Sequence, residues 1–424
     1  MVYINHLYPR VLFLSRYPFL FMKKIKEIIS VVCIVLYFGT SCTPQSSSST
    51  QKITPKVITP GANQLNLYLP HLKGKQVGIM ANQTSVVGSQ HLVDVLLDQG
   101  VDVRFAFAPE HGFRGTVERG EHFKDGKDAQ TGIPVYSLYG KQVLADSLIN
   151  AVDVLIFDLQ DVGARFYTYI TSLHDLMELC AKYHKTLLVL DRPNPNGDQI
   201  DGPVRKSDEF KSNVSYHKIA MVHGLTVGEL AKMINGEGWL QNARTCDLVV
   251  IPVKHYSHDQ MYILPVQPSP SLPNFLSVRL YPSLCLFEGT PFSIGRGTDW
   301  PFQVIGYPDT VFGSFTFSPS DRQGMSLHVE GKNQINYGID LRALRPENQT
   351  FTLKYLLDFY QKMPDKSKFF SNPAFFDKLA GTDELRKQIV AGWTEERIRD
   401  SWNEDLLEYK RMRRKYLLYP DAAE

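Results

Sequence analysis

The stretch DVLIFDLQDVGARFYTYI, residues 153–170, decides the fold. It is apolar from Val154 until Asp158, and we read a strand over Val152–Leu159. So short a run, without alternation, is the signature of a strand buried on both faces. It gives way to Asp158-Leu159-Gln160-Asp161-Val162-Gly163, a polar loop with a glycine. Then Ile170, Leu173, Leu176, Met177, Cys180 and Ala181 fall on one stripe of a helix. A second buried strand, Leu187–Leu190, follows and ends at Asp191. Strand, amphipathic helix and strand in succession call for a parallel pair.

The same grammar extends outward. Upstream lie an apolar strand at Gln76–Met80 and a helix carrying Leu92, Val93, Leu96 and Leu97, with Gly100 as its stop. A third strand spans Val103–Ala108. Downstream, Thr226 and Glu229 form a capping box ahead of Leu230, Met233 and Ile234. The fold class is α/β, with a mainly parallel sheet covered on both faces. The character changes after Pro-Ser-Pro-Ser-Leu-Pro, 268–273. Strand-like pieces at Ser326–Val329 and Gln334–Leu341 precede helices near Leu353–Tyr360 and Glu395–Tyr416. The last carries Ile398, Trp402, Leu406 and Tyr409 on one face. We read a smaller α+β C-terminal domain, and no internal repeat.

The chain has 424 residues, 43% hydrophobic and 21% charged, so it can fill large cores and global disorder is excluded. A formal net charge of +2 offers no electrostatic case for nucleic acid. The cysteines, at 33, 42, 180, 246 and 285, form no CxxC pair, which argues against a zinc knuckle or disulfide framework. Lys23, Lys24 and Lys26, an apolar run over Ile28–Phe38 and Gly39-Thr40-Ser41-Cys42 describe an export signal, with Met22 as an alternative start. The cysteine after small residues resembles a bacterial lipoprotein signal, with Cys42 as the lipidated residue and the membrane as partner through that anchor. A plain signal peptide or an uncleaved anchor are the alternatives. The division is 1–42 signal, 43–63 flexible tether beginning with a Ser-rich run, 64–281 sheet domain and 282–424 C-terminal domain.

The polar residues sit where the strands stop. Strand 103–108 runs into Pro109-Glu110-His111-Gly112, with Arg114, Glu121 and His122 further along the loop. The next ends in Asp158, Gln160 and Asp161, followed by Arg165 and the aromatics Phe166, Tyr167 and Tyr169. The last ends in Asp191-Arg192-Pro193-Asn194. In a parallel sheet these ends share one edge, where ligands bind. Two carboxylates flanking one site suit glycoside hydrolysis, one as acid and the other as base or nucleophile. Glu110 is the candidate acid. Glu121 is the candidate second group, or positions Glu110 or a water. Nearby arginines and Asn194 are suited to gripping a sugar's carboxylate and hydroxyls, the plainer alternative for these polar residues being loop caps and ion pairs. Phe166, Tyr167 and Tyr169 are suited to stacking on the ring or, equally, to the core.

His111, His122 and His223 could ligate a metal, but HExxH spacing is lacking, so no metal or other cofactor is expected. Neither a GxSxG elbow nor a phosphate-binding glycine loop follows the first strand. Gly295-Arg296-Gly297-Thr298 is an anion cradle or, more simply, a turn. Two other functions remain: a non-catalytic envelope lipoprotein that binds glycans, and a metal-dependent hydrolase of another bond.

Six segments, APEHGFRG (108–115), TGIPVYSLYG (131–140), DVLIFDLQDVGARFYTYI (153–170), LDRPNPNG (190–197), HGLTVGELA (223–231) and LFEGTPFSIGRGTDWPFQVIG (286–306), together with the stretch from Gly381-Thr382-Asp383-Glu384-Leu385 to Tyr419, resemble in order the exo-lytic β-N-acetylmuramidases of NamZ type. The resemblance covers nearly all the chain after the tether. It implies a Rossmann-like domain and a smaller C-terminal one with a cleft between them. It also implies removal of terminal N-acetylmuramic acid from peptidoglycan fragments in the cell envelope. The glutamate of its PEHG motif falls on Glu110, and that of a later AGE-like motif on Glu121, with Arg119 replacing the usual alanine. The resemblance also brings in Glu288 and Arg296 from the second domain. His111, Arg114, Asp158, Asp161, Asp191 and His223 complete the expected substrate contacts. Arg165, Arg192 and Arg296 are the candidate partners of the sugar's lactyl carboxylate.

Overall fold

The computed structural model describes residues 56–109, 112–114, 125–137, 146–322 and 329–421. Glu110, His111, Glu121, His122, Cys42, the signal and most of the strand expected at 326–329 lie outside the described residues.

Among the described residues the first part of the chain runs α1 (Leu65–Leu72), β1 (Gln76–Ala81), the hairpin strands β2 (Val86–Val87) and β3 (Gln90–His91), α2 (Leu92–Asp98), β4 (Asp102–Ala108), β5 (Gly126–Lys127), β6 (Pro134–Ser137), α3 (Asp146–Asn150), β7 (Val154–Asp158), α4 (Tyr169–Tyr183), β8 (Thr186–Leu190), α5 (Val227–Gly236) and β9 (Asp247–Ile251). Seven of these strands form one sheet in the order β5-β6-β4-β1-β7-β8-β9. All its pairings are parallel except β5 with β6. The α/β class read from the sequence is the observed one.

Alternation along the strands divides the core into two layers. Leu155, Phe157, Leu187 and Val189 face α4 and α5, while Val154, Ile156, Leu188 and Leu190 face α1 and α2. On β4 the register against β1 slips between Val77 and Gly78, where Val103 and then Phe105 are paired in turn. One extra residue in a strand inverts its alternation. So Val103 belongs to the second layer, and Phe105 and Phe107 to the first.

The chain continues through α6 (Phe275–Leu284) into β10 (Val304–Tyr307), β11 (Phe315–Phe317) and β12 (Asn336–Asp340), a small antiparallel sheet in the order β10-β12-β11. Then come α7 (Lys354–Lys362), α8 (Pro373–Ala380), α9 (Glu384–Val390) and α10 (Glu395–Arg414). The first core layer continues without a break into this part, through Phe287, Phe292, Phe359 and Phe369. Pro282 lies within α6 and cannot donate to the carbonyl of Val278, four residues back. Asn196 Nδ2 donates to that carbonyl instead, at 3.1 Å.

Candidate active site

At the carboxyl edge of the sheet the polar residues are buried and mostly satisfied by one another. After β1, Asn82 accepts from Thr84 N and Oγ1 at 2.9 and 2.6 Å, and its Nδ2 donates to Tyr169 OH at 2.9 Å. After β7, Asp158 closes a bidentate pair with Arg192, whose Nε and Nη2 donate at 2.6 and 2.8 Å. Both residues are buried. An Asp and an Arg on neighbouring strand ends thus neutralise each other in the low-dielectric interior, where either alone would be costly.

Asp161 accepts from Gly163 N at 2.7 Å through Oδ2. The same oxygen lies 3.3 Å from His223 Nε2. His223 Nδ1 accepts from Leu225 N at 3.1 Å, and its Nε2 makes no hydrogen bond among the described residues. The other oxygen of Asp161 is buried without a hydrogen-bond partner among the described residues. Gly163 has φ +78°, and a Cβ there would meet Asn194 Oδ1 at 2.2 Å. Asn194 itself donates to Leu225 O at 2.9 Å and accepts from Asn196 N at 2.8 Å.

Asp191 is fully buried and organises the start of α5. It accepts from Thr226 Oγ1 at 2.7 Å, Gly228 N at 2.8 Å, Arg192 N at 3.0 Å and Tyr419 OH at 2.5 Å. Burial nevertheless pushes its carboxyl up to about 6. Arg165 is also fully buried, and among the described residues no carboxylate pairs with it. It donates to the carbonyls of Pro203, Ile219, Leu379 and Ala380 at 2.7–3.0 Å. The last two are the terminal residues of α8, the negative end of that helix. Burial pulls the guanidinium down to about 9. Arg114 is held between α2 and the turn after β5. Its forks take Asp94 at 2.7 and 3.0 Å and Asp128 at 2.7 and 2.8 Å. Burial opposes ionisation of Asp128, but the bonds from Arg114 and Thr131 outweigh it and hold this carboxyl at about 2.

Beside this edge is a cavity of about 220 Å³. Tyr167, Tyr169, Tyr281 and Phe302 supply aromatic walls, and Glu288 and Arg296 the charge. Tyr167 and Tyr169 meet edge to face at 4.7 Å. Tyr167 OH donates to Pro268 O at 2.9 Å, and Gln83, one residue past Asn82, donates to the same carbonyl at 3.1 Å. The cavity wall is therefore tied to the end of β1. Arg296 Cζ lies over the Phe302 ring, 4.8 Å from its centre. Its Nε donates to Glu288 Oε1 at 3.0 Å, Nη2 donates to the same oxygen, and Nη1 donates to Ser271 Oγ at 2.6 Å. A larger groove of about 880 Å³ lies at the opposite edge, by Gln76, Asp102 and Asp153, where these strands begin. Ligands of parallel sheets bind at the other end.

Of the expected contacts, the structure brings Tyr167, Glu288 and Arg296 together in the cavity. Asp158, Asp191, Arg192 and Asn194 form the buried floor of the edge, Asp161 and His223 a pair within it. Arg165 and Arg114 act on the framework, the first on carbonyls and the second between two aspartates. Sequence reasoning missed Asn82, Ser271 and Tyr281. Asn82 carried the same signal as its neighbours, a polar residue where a buried strand stops. Ser271 was hidden in a proline-rich stretch read only as punctuation. Among the described residues no group of three or more His, Cys, Asp or Glu could hold a metal ion, and no helix is long and apolar enough to cross a membrane.

The fold is a doubly wound α/β sheet with a small aromatic and charged cavity at its carboxyl edge, and comparison with known proteins gives the class, a glycoside hydrolase. The chain belongs to the exo-β-N-acetylmuramidase NamZ family: the N-terminal family model matches residues 77–276 and the C-terminal model residues 279–419. It is 34% identical to the peptidoglycan β-N-acetylmuramidase NamZ of Bacillus subtilis (strain 168), over 93% of this chain and all of that protein. Two crystal structures of DUF1343 family proteins from Bacteroides fragilis NCTC 9343 share the fold. One has a TM-score of 0.79 and 43% identity over 86% of this chain and all of its own. The other has a TM-score of 0.73 and 29% identity over 85% of this chain and 99% of its own.

Proposed function

We propose that this protein is an exo-acting muramidase, which hydrolyses the terminal N-acetylmuramic acid from the non-reducing end of peptidoglycan fragments. One observation carries the reading: the cavity beside Tyr167 and Arg296. At about 220 Å³ it is below the roughly 300–1,000 Å³ usual for drug-sized ligands, which suits one amino sugar rather than a glycan strand. Aromatic faces fit the ring, and an arginine fits an acidic sugar. The family membership and the substrate named for the Bacillus relative support the same choice.

Glu110 is the acid of this proposal, protonating the leaving oxygen, with Glu121 as the second carboxylate or the group that positions a water. Pro109, immediately before Glu110, directly follows β4, at the edge that the cavity adjoins. The test is release of sugar from N-acetylmuramic acid β-linked to N-acetylglucosamine, followed by mass spectrometry. The protein should free N-acetylmuramic acid, and Glu110→Gln should lower the rate by at least about 100-fold. Equal release by both would move the acid to another residue. Binding without release would make the protein a glycan receptor.

Export as a lipoprotein belongs to the same proposal, since it would place the enzyme in the envelope beside its substrate. Its support is the basic and apolar segment before Cys42. Mass spectrometry of the membrane fraction should find the mature chain beginning at a lipid-modified Cys42, and Cys42→Ala should release the protein from that fraction. Retention of Cys42→Ala in the membrane would contradict the anchor.

A further inference from the structure

Three arginines stand out in the sequence as partners for an acidic sugar, and their surroundings differ sharply. Arg165 is enclosed by four backbone carbonyls. Arg192 presents its Nε and Nη2 to the two oxygens of Asp158. Neither lines the cavity; Arg296 does.

Four of the five N–H groups of a guanidinium form two forks, one along Nε and Nη2 and one between Nη1 and Nη2, and the fifth, on Nη1, lies outside both. In Arg296 the first fork is turned onto Glu288. Among the described residues, Nη1 of the second fork has one partner outside Glu288, the Ser271 hydroxyl. Each terminal nitrogen carries two hydrogens, so both retain one beyond these bonds. Phe302 supports one face of the guanidinium and so limits the side chain's freedom. Its neighbours Glu288 and Ser271 hold it from two separate segments before any ligand arrives. That pre-organisation lowers the entropy lost on binding.

We propose that the Nη1–Nη2 fork of Arg296 is the carboxylate subsite of this enzyme, taking the lactyl carboxylate of the sugar, with Glu288 and Ser271 as its positioning residues. The proposal rests on the muramidase reading above. A pairing with Glu288 does not exhaust such a side chain. Arg114 in this same protein serves two carboxylates at once, Asp94 and Asp128, one on each side of its guanidinium. Arg296 has one carboxylate in place and, with it, lines the cavity.

The experiment compares a charged ligand with its neutral counterpart on the full chain. Affinities for N-acetylmuramic acid and for its methyl ester are measured by calorimetry, with wild type, Arg296→Gln and Arg296→Lys, alongside the melting temperature of each. A charge-assisted bidentate contact should favour the acid over the ester by roughly 10- to 100-fold in wild type. Arg296→Gln should abolish that preference while ester affinity changes little. Arg296→Lys keeps a charge beside Glu288 and gives a second reading if the glutamine variant does not fold; it should lose most of the preference, because an ammonium has no fork. An undiminished preference in either folded variant overturns the subsite. So does a wild type that binds acid and ester alike. A folded wild type that neither binds the acid nor releases it from the disaccharide removes the muramidase reading itself, and the subsite with it.

Discussion

At the scale of single residues, the molecule shows how little an arginine's presence says about its task. Arg114, Arg165, Arg192 and Arg296 follow strand ends or glycine turns and look alike in sequence. One clamps two aspartates, one gathers carbonyls, one neutralises a buried aspartate, and one faces a cavity. Which carbonyls or carboxylates reach a guanidinium depends on segments far apart in the chain; for Arg165 and Ala380 the separation is 215 residues. Arg165→Met should therefore act on stability. It leaves four buried carbonyls without their donor and should cost about 3 kcal/mol or more, read as a lower denaturant midpoint. An unchanged midpoint with a weakened affinity for the sugar would instead make Arg165 a ligand.

Two buried histidines give a pH dependence. His174 Nδ1 lies 3.1 Å from His217 Nε2. Burial lowers His174 from 6.5 to about 4, and burial together with His174 takes His217 well below its ordinary value. Below about pH 6.5 the unfolded chain takes up protons that the folded one refuses, so this pair's stabilising contribution is lost as pH falls towards 4. Asp175 and Asp191, both pushed up to about 6 mainly by burial, act in the opposite sense, since the folded state binds their protons first. The pair is isolated by difference. Stability should fall less steeply between pH 7 and 5 in a His174→Gln/His217→Gln protein than in wild type. Equal slopes would contradict the assignment.

At the scale of elements, periodicity and strand-end chemistry were legible, and compensated irregularities were not. The helix at 169–183, the capping box at Thr226 and the strands ending at Asp158 and Asp191 announce themselves through spacing alone. Helices α1 and α6 contain Pro70 and Pro282, which argue against a helix until a partner such as Asn196 is seen beside the broken bond. The capping box of α5 is tighter than its sequence suggests. Besides the reciprocal bonds of Thr226 and Glu229, Thr226 Oγ1 donates to Asp191 and Glu229 accepts from Leu418 N. The helix also packs so closely that a Cβ on Gly228 would lie 2.7 Å from Asp191 Cγ and from Val250 Cγ1. Gly228→Ala should thus destabilise by about 1–3 kcal/mol by overpacking, although alanine is the better helix former. A rise in melting temperature would show that the contact relaxes freely.

At the scale of the molecule, the end of the described chain returns to the sheet. Tyr419 OH donates to Asp191 and accepts from Val253 N, Leu418 N donates to Glu229, and Pro420 O accepts from His258 N. No local pattern in the sequence points to these contacts, because they join residues 162–228 positions apart. With one core layer running through both sheets, calorimetry should record a single unfolding transition, and a chain ending at Arg414 should melt markedly lower. Two resolved transitions would contradict this shared core.

The central claim is that one terminal muramic residue occupies the cavity beside Tyr167 and Arg296. Defined peptidoglycan strands that begin with N-acetylmuramic acid, digested and followed by mass spectrometry from the first minutes, test it most directly. One N-acetylmuramic acid should be released per strand, followed by a halt, since N-acetylglucosamine now stands at the end. Internal fragments, or steady shortening past that sugar, would contradict it.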